Sequence, residues 1–425
     1  MEQARTRLEQ VLALRRMSVE DFRAAYDRMS GDALSERQAY RWLAGEIKTS
    51  PYPRAQRALE SLFGEPARSL LGAPDQHKTP TRSASAHDSR RVIVESAERA
   101  RSFLSVAELT NVGPETLEQL ASEIRRLSIE YPQQPLESLI GGIVEAQEQA
   151  FRLLDGRQRP GQTVDLFLLA GVSSGLMARA SHDLGAPHAA MTHARAASVC
   201  AKNAGHDGLL AWARGLQSLI AYWSGSLDES VRYADQFTAA DGRHNGSAVV
   251  WLSASRARSL AALGRGVEAE TAIDIASAAR DLVQHDELDD LGGLCTFSRP
   301  RQLYYAADAL AWCGPDRAEQ AELLALEALD AYEQAPATVR AFGDEAGVRC
   351  ALATARISRG EIDGANEAME AVLALPPSQR IHGITTSVQN VRLSLGRGAN
   401  QGRESVELDE AMRLFCDDKL ALPQQ

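Results

Sequence analysis

One pattern dominates the amino-acid sequence and limits what the chain can fold into. From about residue 164 to residue 420, an alanine-rich stretch of helical periodicity, a turn carrying glycine and a second alanine-bearing helical stretch follow one another repeatedly. The turn glycines are Gly185, Gly225, Gly264, Gly314, Gly360 and Gly396, at intervals of 40, 39, 50, 46 and 36 residues. Examples are Leu184-Gly-Ala-Pro-His-Ala189, Trp223-Ser-Gly-Ser-Leu-Asp-Glu229, Leu263-Gly-Arg-Gly-Val-Glu-Ala269 and Ser358-Arg-Gly-Glu-Ile-Asp-Gly-Ala365. Glycine closes a helix because it enters the left-handed conformation without a steric penalty. A helical hairpin of this size cannot bury its apolar face alone, so successive units must stack and share a core. Upstream, helices are expected over Glu95–Leu104, Pro114–Tyr131 and Leu136–Leu154, with Pro132 ending the second. No stretch shows sustained two-residue alternation, so the expected class is all-α without a substantial sheet.

The first 65 residues follow a different plan. A helix from about Ala4 to Arg16 places Leu8, Val11, Leu12 and Ala13 on one face. Ser18 and Ser35 then stand where N-caps belong, each followed three residues later by a side chain able to answer it, Asp21 and Gln38. Gly31 and Gly45 end the two short helices so started. The second of them turns Leu34, Ala39, Trp42 and Leu43 inward and leaves Arg37, Gln38 and Arg41 open. Arginine and glutamine are the side chains that pair bidentately with guanine and adenine edges in the major groove. After a loop broken by Pro51 and Pro53, a fourth helix runs from Pro53 to Phe63, with Ala55, Ala58, Leu59, Leu62 and Phe63 inward, and stops at Gly64.

Four helices in about 65 residues, punctuated at Gly45, Pro51 and Gly64, resemble the lambda-repressor-like (XRE) helix-turn-helix family over residues 4–64. The glycine-turn units over 164–420 are similar to tetratricopeptide-type repeats. Together the two resemblances imply an all-α chain in three parts. Residues 1–71 would be a four-helix lambda-repressor-like DNA-binding domain, and 72–91 a flexible linker. Residues 92–425 would be an α-solenoid of tetratricopeptide-like helical hairpins that senses a ligand and dimerises. The arrangement resembles actinobacterial regulators linked to development or secondary metabolism, and the head-plus-repeat peptide-pheromone regulators of Gram-positive bacteria. It implies a sequence-specific transcriptional regulator whose partners are double-stranded operator DNA, a second copy of the chain and a small molecule or peptide in the repeat groove. DNA contacts are expected from Ser35, Arg37, Gln38 and Arg41, and from Lys48, Tyr52 and Arg54 beyond them. A single helix-turn-helix has a small footprint, so a homodimer is expected.

Charge is compatible with this division. The net charge of −11 is uneven: basic residues outnumber acidic ones over 1–101, and acidic residues prevail over 102–425. A polyanion partner therefore belongs at the N-terminal end. The five cysteines (Cys200, Cys295, Cys313, Cys350 and Cys416) are scattered, with no CxxC pair, as expected of reduced thiols in a cytoplasmic protein. Neither a signal peptide nor an apolar run of the ~20 residues a membrane span needs is evident, so no membrane partner is expected.

In a superhelix of hairpins the first helix of each lines the concave face. Those helices carry Trp223, Arg258 and Trp312 as well as Trp212, Tyr222, Trp251, Arg256, Arg301, Tyr304, Tyr305 and Asn390. The last eight are the candidate ligand contacts, although each aromatic taken singly reads more readily as packing between repeats. Histidines 182, 188, 193 and 206 lack a completing Cys or carboxylate pattern and read as packing or surface groups, and Asp289-Asp290 reads as a polar loop. With no GxGxxG after a strand, no phosphate-binding P-loop, no HExxH and no GxSxG, no catalytic residue, metal or cofactor is expected. The competing expectation is a protein-interaction scaffold whose N-terminal domain is vestigial or a tether.

Overall fold

The computed structural model describes residues 4–47, 50–74, 93–100, 110–236, 246–397 and 402–417. Among them every regular element is a helix, so the chain is all-α. It divides into two compact units, Met1–Glu98 and Arg99–Gln425. The expected linker falls largely on 75–92, outside the described residues. Its first residue, Gly72, belongs to the N-terminal unit, where its carbonyl accepts from Arg7 N–H at 3.0 Å.

The N-terminal unit comprises α1 (Arg7–Leu14), α2 (Val19–Ser30), α3 (Glu36–Leu43), α4 (Pro53–Phe63) and α5 (Ala67–Leu70). Helix α1 starts later than its sequence suggests because Thr6 is the cap. Its Oγ1 accepts from Glu9 N–H at 3.2 Å and donates to Leu43 O at 2.8 Å, tying α1 to the end of α3. Ala13, expected inward, is exposed, while Leu8, Val11 and Leu12 are buried. Helix α5 was not anticipated. Four residues are too few for a periodicity signal, yet Ala67 and Leu70 close the core that Phe22, Tyr26, Trp42, Leu59 and Phe63 share. Beyond this core, residues 93–100 form α6.

The second unit holds α7 (Pro114–Glu130), α8 (Ile140–Leu154), α9 (Pro160–Asp183), α10 (Pro187–Ala204), α11 (Asp207–Trp223), α12 (Leu227–Ala234) and α13 (Ser247–Ala262). It continues through α14 (Gly266–Asp281), α15 (Arg299–Ala311), α16 (Ala318–Gln334), α17 (Phe342–Arg359), α18 (Ile362–Leu373), α19 (His382–Arg397) and α20 (Arg403–Asp417). Each helix from α9 onward packs on the next in sequence wherever a tight turn joins them. Alternate helices also touch, α9 on α11, α11 on α13, α13 on α15, α15 on α17 and α17 on α19, and α19 returns to α9. Six alternate helices therefore surround one interior.

Aromatic side chains seat against glycines across this inner layer. A Cβ on Gly175 of α9 would lie 1.9 Å from the Trp212 ring of α11. One on Gly215 of α11 would lie 2.4 Å from Trp251 of α13, and one on Gly347 of α17 would lie 2.3 Å from the Tyr304 hydroxyl of α15. The missing side chain is what lets adjacent inner helices approach with a large ring between them.

Five of the six expected turn glycines do hold positive φ after a helix: Gly185, Gly225, Gly264, Gly314 and Gly360. Gly396 does not: it lies inside α19, where the helix runs on to Arg397. Gly205, which was not expected, makes the left-handed cap of α10. The Asp289-Asp290 segment also differs from a surface loop. Asp289 is buried and accepts from the backbone N–H of Ser247 at 2.9 Å and from its hydroxyl. Around it Leu288, Leu294, Cys295 and Phe297 insert into the core, against α7.

Helix α9 corrects one more expectation. It is long and apolar enough to cross a bilayer by length and composition, with a mean hydropathy of 1.3, but 61% of that stretch is buried inside the protein. Its apolar surface is covered by α7, α8, α10 and α11.

Candidate nucleic-acid interface and interior cavity

In the N-terminal unit, α3 is held by its turn as well as by its core. Leu34 N–H donates to Asp27 Oδ1 at 2.6 Å, and Leu34 O accepts from Arg23 Nε at 2.9 Å, so both backbone groups of the residue before the cap are anchored to α2. Ser35 caps α3 by accepting from Gln38 N–H at 3.3 Å, and Ser18 with Asp21 forms a complete capping box on α2. Ala39, Trp42 and Leu43 fix the inner face. On the outer face Arg37, Gln38 and Arg41 are exposed, and neither Arg37 nor Gln38 has a side-chain partner among the described residues. Arg41 makes one long contact, from Nη2 to Glu46 O at 3.4 Å. Tyr40, half exposed between Arg37 and Arg41, belongs to this surface too. Its outward position follows from helical spacing, one turn from Arg37.

A groove of about 330 Å³ runs between α3 and the segment leading into α4, walled by Gln38, Arg41, Trp42, Ser50 and Tyr52 among others. Tyr52 stands at the start of α4 with 84% of its surface exposed. Arg54 is exposed as well and reaches Asp32 at 3.6 Å, a solvent-screened pair that a phosphate can displace. Ser35 is occupied as a cap, so what it offers a partner is the oriented helix terminus. Lys48 lies outside the described residues. One unit thus brings Ser35, Arg37, Gln38, Arg41, Tyr52 and Arg54 together around α3 and α4.

The expected ligand residues of the second unit separate into three groups. Trp212 is core: its ring is buried and its Nε1 donates to Leu294 O at 3.1 Å. Trp251 is core as well, stacked on Phe297 and donating to the Tyr305 hydroxyl at 3.1 Å. Arg256 bonds Asp235 at 2.7 Å near the surface, and Asn390 is half-buried on α19, so neither is a wall of the interior cavities. Tyr222, Arg301, Tyr304 and Tyr305 do line cavities.

The centre of that interior is Arg258, three per cent exposed. Its guanidinium carbon sits 4.4 Å from the Tyr305 ring centroid, 4.6 Å from Tyr222 and 5.3 Å from both Trp223 and Tyr304. Asp308 accepts from its Nε at 2.7 Å. Two further buried pairs flank it. Arg179 bonds Asp183, whose carboxylate also accepts from the Tyr131 hydroxyl at 2.8 Å. Arg301 bonds Asp344 at 2.6 Å, joined by Tyr332. Burial pushes the Asp183 carboxyl up against the pull of Arg179. His182 is driven well below its ordinary range by burial and then by Arg179, His382 and Arg258, so it is a neutral imidazole. A cavity of about 30 Å³ between Arg179, His182, Trp223, Arg258, Tyr304 and Tyr305 is shared by all six inner helices or the turns leading into them. Arg258 was among the expected residues of the concave face, whereas Arg179, His182 and Asp344 were not. The signal for them was their position on the inner helices, but charged residues in a helix ordinarily read as solvent-facing.

No protein-family model, no curated protein and no solved structure matches the chain.

Proposed function

We propose that the protein is a sequence-specific DNA-binding transcriptional regulator with a lambda-repressor-like N-terminal domain and a tetratricopeptide-like body that senses a ligand. The observation that carries the reading is the exposed Arg37, Gln38 and Arg41 face, with Arg37 and Gln38 unpaired among the described residues, on a helix whose cap, turn and inner face are all fixed. A rigid helix offering free arginine and glutamine is suited to base edges, while Tyr52 and Arg54 are placed for phosphates. The matching intervals between Gly175 and Gly215 and between Trp212 and Trp251, 40 and 39 residues, support a repeated hairpin as the unit of the body. One such head gives a small footprint, so a homodimer reading two half-sites follows. The interior cavities are small, which favours a small molecule over a peptide as effector. A ligand regulates only by binding one dimer population better than another.

The test is selection of the purified protein against its own genomic fragments, followed by a salt titration on the enriched fragment. Enrichment of a two-half-site sequence, with affinity lost by ~10-fold or more per bidentate contact in Arg37→Ala/Arg41→Ala, is the expected result. Weak binding that is indifferent to sequence and to the double substitution refutes it and leaves the scaffold reading.

A further inference from the structure

Three buried side-chain polar atoms among the described residues lack a hydrogen-bond partner: Ser255 Oγ, Arg258 Nη2 and Ser405 Oγ. Two of the three lie one turn apart on α13 and line the same small niche with Ser218, Ser230, Tyr222 and Tyr305. A buried N–H or hydroxyl left unmade costs about 1–3 kcal/mol, and more on a charged group. Two such costs in one place call for an occupant.

The chemistry of that occupant follows from the guanidinium's surroundings. Four aromatic rings crowd it at 4.4 to 5.3 Å and answer its cationic charge, while Nη2 keeps no hydrogen-bond partner. Asp308 takes only Nε. The neighbouring cations are already matched, Arg179 by Asp183 and Arg301 by Asp344. Of these three arginines Arg258 has a fully buried terminal nitrogen, Nη2, left without a partner, and guanidinium is the side chain that grips a carboxylate with paired N–H groups. The niche holds about 10 Å³ and the adjoining cavity about 30 Å³, together about three or four water-sized bodies at ~10–15 Å³ each, room for a carboxylate of acetate size. Its remaining walls include Leu219, Ile381 and Ile384. Beyond Arg179 and Asp344, which both cavities share, lies another of about 20 Å³ walled partly by Leu294, Phe342 and Ile381. Both spaces are lined by charged and polar groups as well as by these apolar side chains.

We infer that the interior around Arg258 binds a small carboxylate, its oxygens held by Arg258 Nη2 and Ser255 Oγ and its short carbon end against Leu219. This deepens the reading of the body as a sensor, and the site stands whether or not the N-terminal domain binds DNA.

The test is isothermal titration of the full chain with sodium acetate, butyrate, hexanoate and octanoate, each paired with the 1-alkanol of equal length. One or more carboxylates should bind saturably at one site per chain, at least ten-fold tighter than the matched alcohol. Arg258→Lys keeps the charge but loses the fork, and should weaken binding ten-fold or more. Ser255→Ala should weaken it by a smaller factor while leaving the thermal transition in place. Should the lysine variant fail to fold, Ser255→Val decides, because it fills the niche beside an intact Arg258. Alcohols binding as well as acids, no acid binding up to 10-fold above its millimolar range, or binding unchanged in both α13 variants overturns the inference and leaves ordered water as the occupant. Operator affinity measured with and without the bound acid separates the two claims. Acid binding without an effect on DNA retains the site and removes the sensor role, and DNA binding without acid binding does the reverse.

Discussion

Replacing Gly175 by alanine tests whether the inner layer is built as described. Its Cβ would lie 1.9 Å from Trp212 Cζ3 and 2.3 Å from Cη2, with Leu216 Cδ1 at 3.1 Å. Carbon atoms rest at about 3.5–4.0 Å, so the indole must move by roughly 1.5–2 Å. It has nowhere to go: it is among the largest fully buried side chains and its Nε1 is bonded to Leu294 O. Overpacking of this kind costs about 1–3 kcal/mol. Loss of the indole hydrogen bond in a dry site adds about 1–3 kcal/mol. The better helix propensity of alanine returns about 1 kcal/mol. The expected net loss is therefore about 3 kcal/mol, or about 6 °C in the body's melting temperature at the ~2 °C per kcal/mol suited to a large domain. Gly161→Ala in the same helix is the control, because nothing lies within 4 Å of the new methyl group. It should be neutral or gain up to about 1 kcal/mol. Tryptophan fluorescence during thermal and urea unfolding reads the effect, since Trp212, Trp223, Trp251 and Trp312 are all in the second unit and only Trp42 is in the first. Equal stability of the two variants would refute the aromatic-on-glycine packing.

Other consequences are quicker to state. Ser35→Ala removes the α3 cap and should cost the N-terminal unit about 1 kcal/mol, read by circular dichroism; an unchanged transition would mean that the Asp27–Leu34 anchor alone fixes the helix start. Asp344→Ala leaves Arg301 buried without its carboxylate and should cost about 3–5 kcal/mol, whereas a loss below 1 kcal/mol would show that water reaches the pair. His182 predicts a pH dependence. Its folded pKa lies well below the ordinary 6.5, so the unfolded chain binds a proton that the folded one does not. Stability is then fully present above 6.5 and falls as the pH drops below it, by up to ~1.4 kcal/mol per pH unit. Denaturant midpoints from pH 7.5 to 5 should show this slope, and His182→Gln should flatten it; an identical slope in both proteins assigns it to other groups.

The helical class and most helix ends were legible because their causes are local. Ser18, Ser35, Gly31, Gly64 and the turn glycines each act within a few residues of where they stand. What failed to show had nonlocal causes. Thr6 caps α1, and its hydroxyl is also committed to Leu43, 37 residues away. The Asp289 segment looked like a loop because its residues are polar, yet Asp289 is buried by bonds to Ser247 across 42 residues. Trp212 and Trp251 stand among the candidate groove contacts, and packing is only the other reading of each, since a sequence does not reveal that Gly175 and Gly215 leave holes for them. Arg258 and Asp308 are 50 apart, and only closure of the inner helices makes them a pair.

The two candidate sites obey opposite rules, and that contrast gives each its weight. On α3 an unpaired arginine costs the free protein almost nothing, because water solvates it; such a residue is available to DNA without loss of stability. Availability alone is weak support there, and the fixed helix beneath it carries the argument. Inside the body the reverse holds. Arg179 and Arg301 each have a carboxylate and a tyrosine completing the network, as buried charges require. Arg258 has its carboxylate too, in Asp308, but its Nη2 and the Oγ of Ser255 are buried in one niche without partners, which costs the empty protein stability. A ligand supplying the missing acceptor recovers that cost on binding, so its affinity and its stabilisation of the closed inner layer are one free energy. The same concentration of acid should therefore raise the melting temperature of the body more in the wild-type chain than in Arg258→Lys.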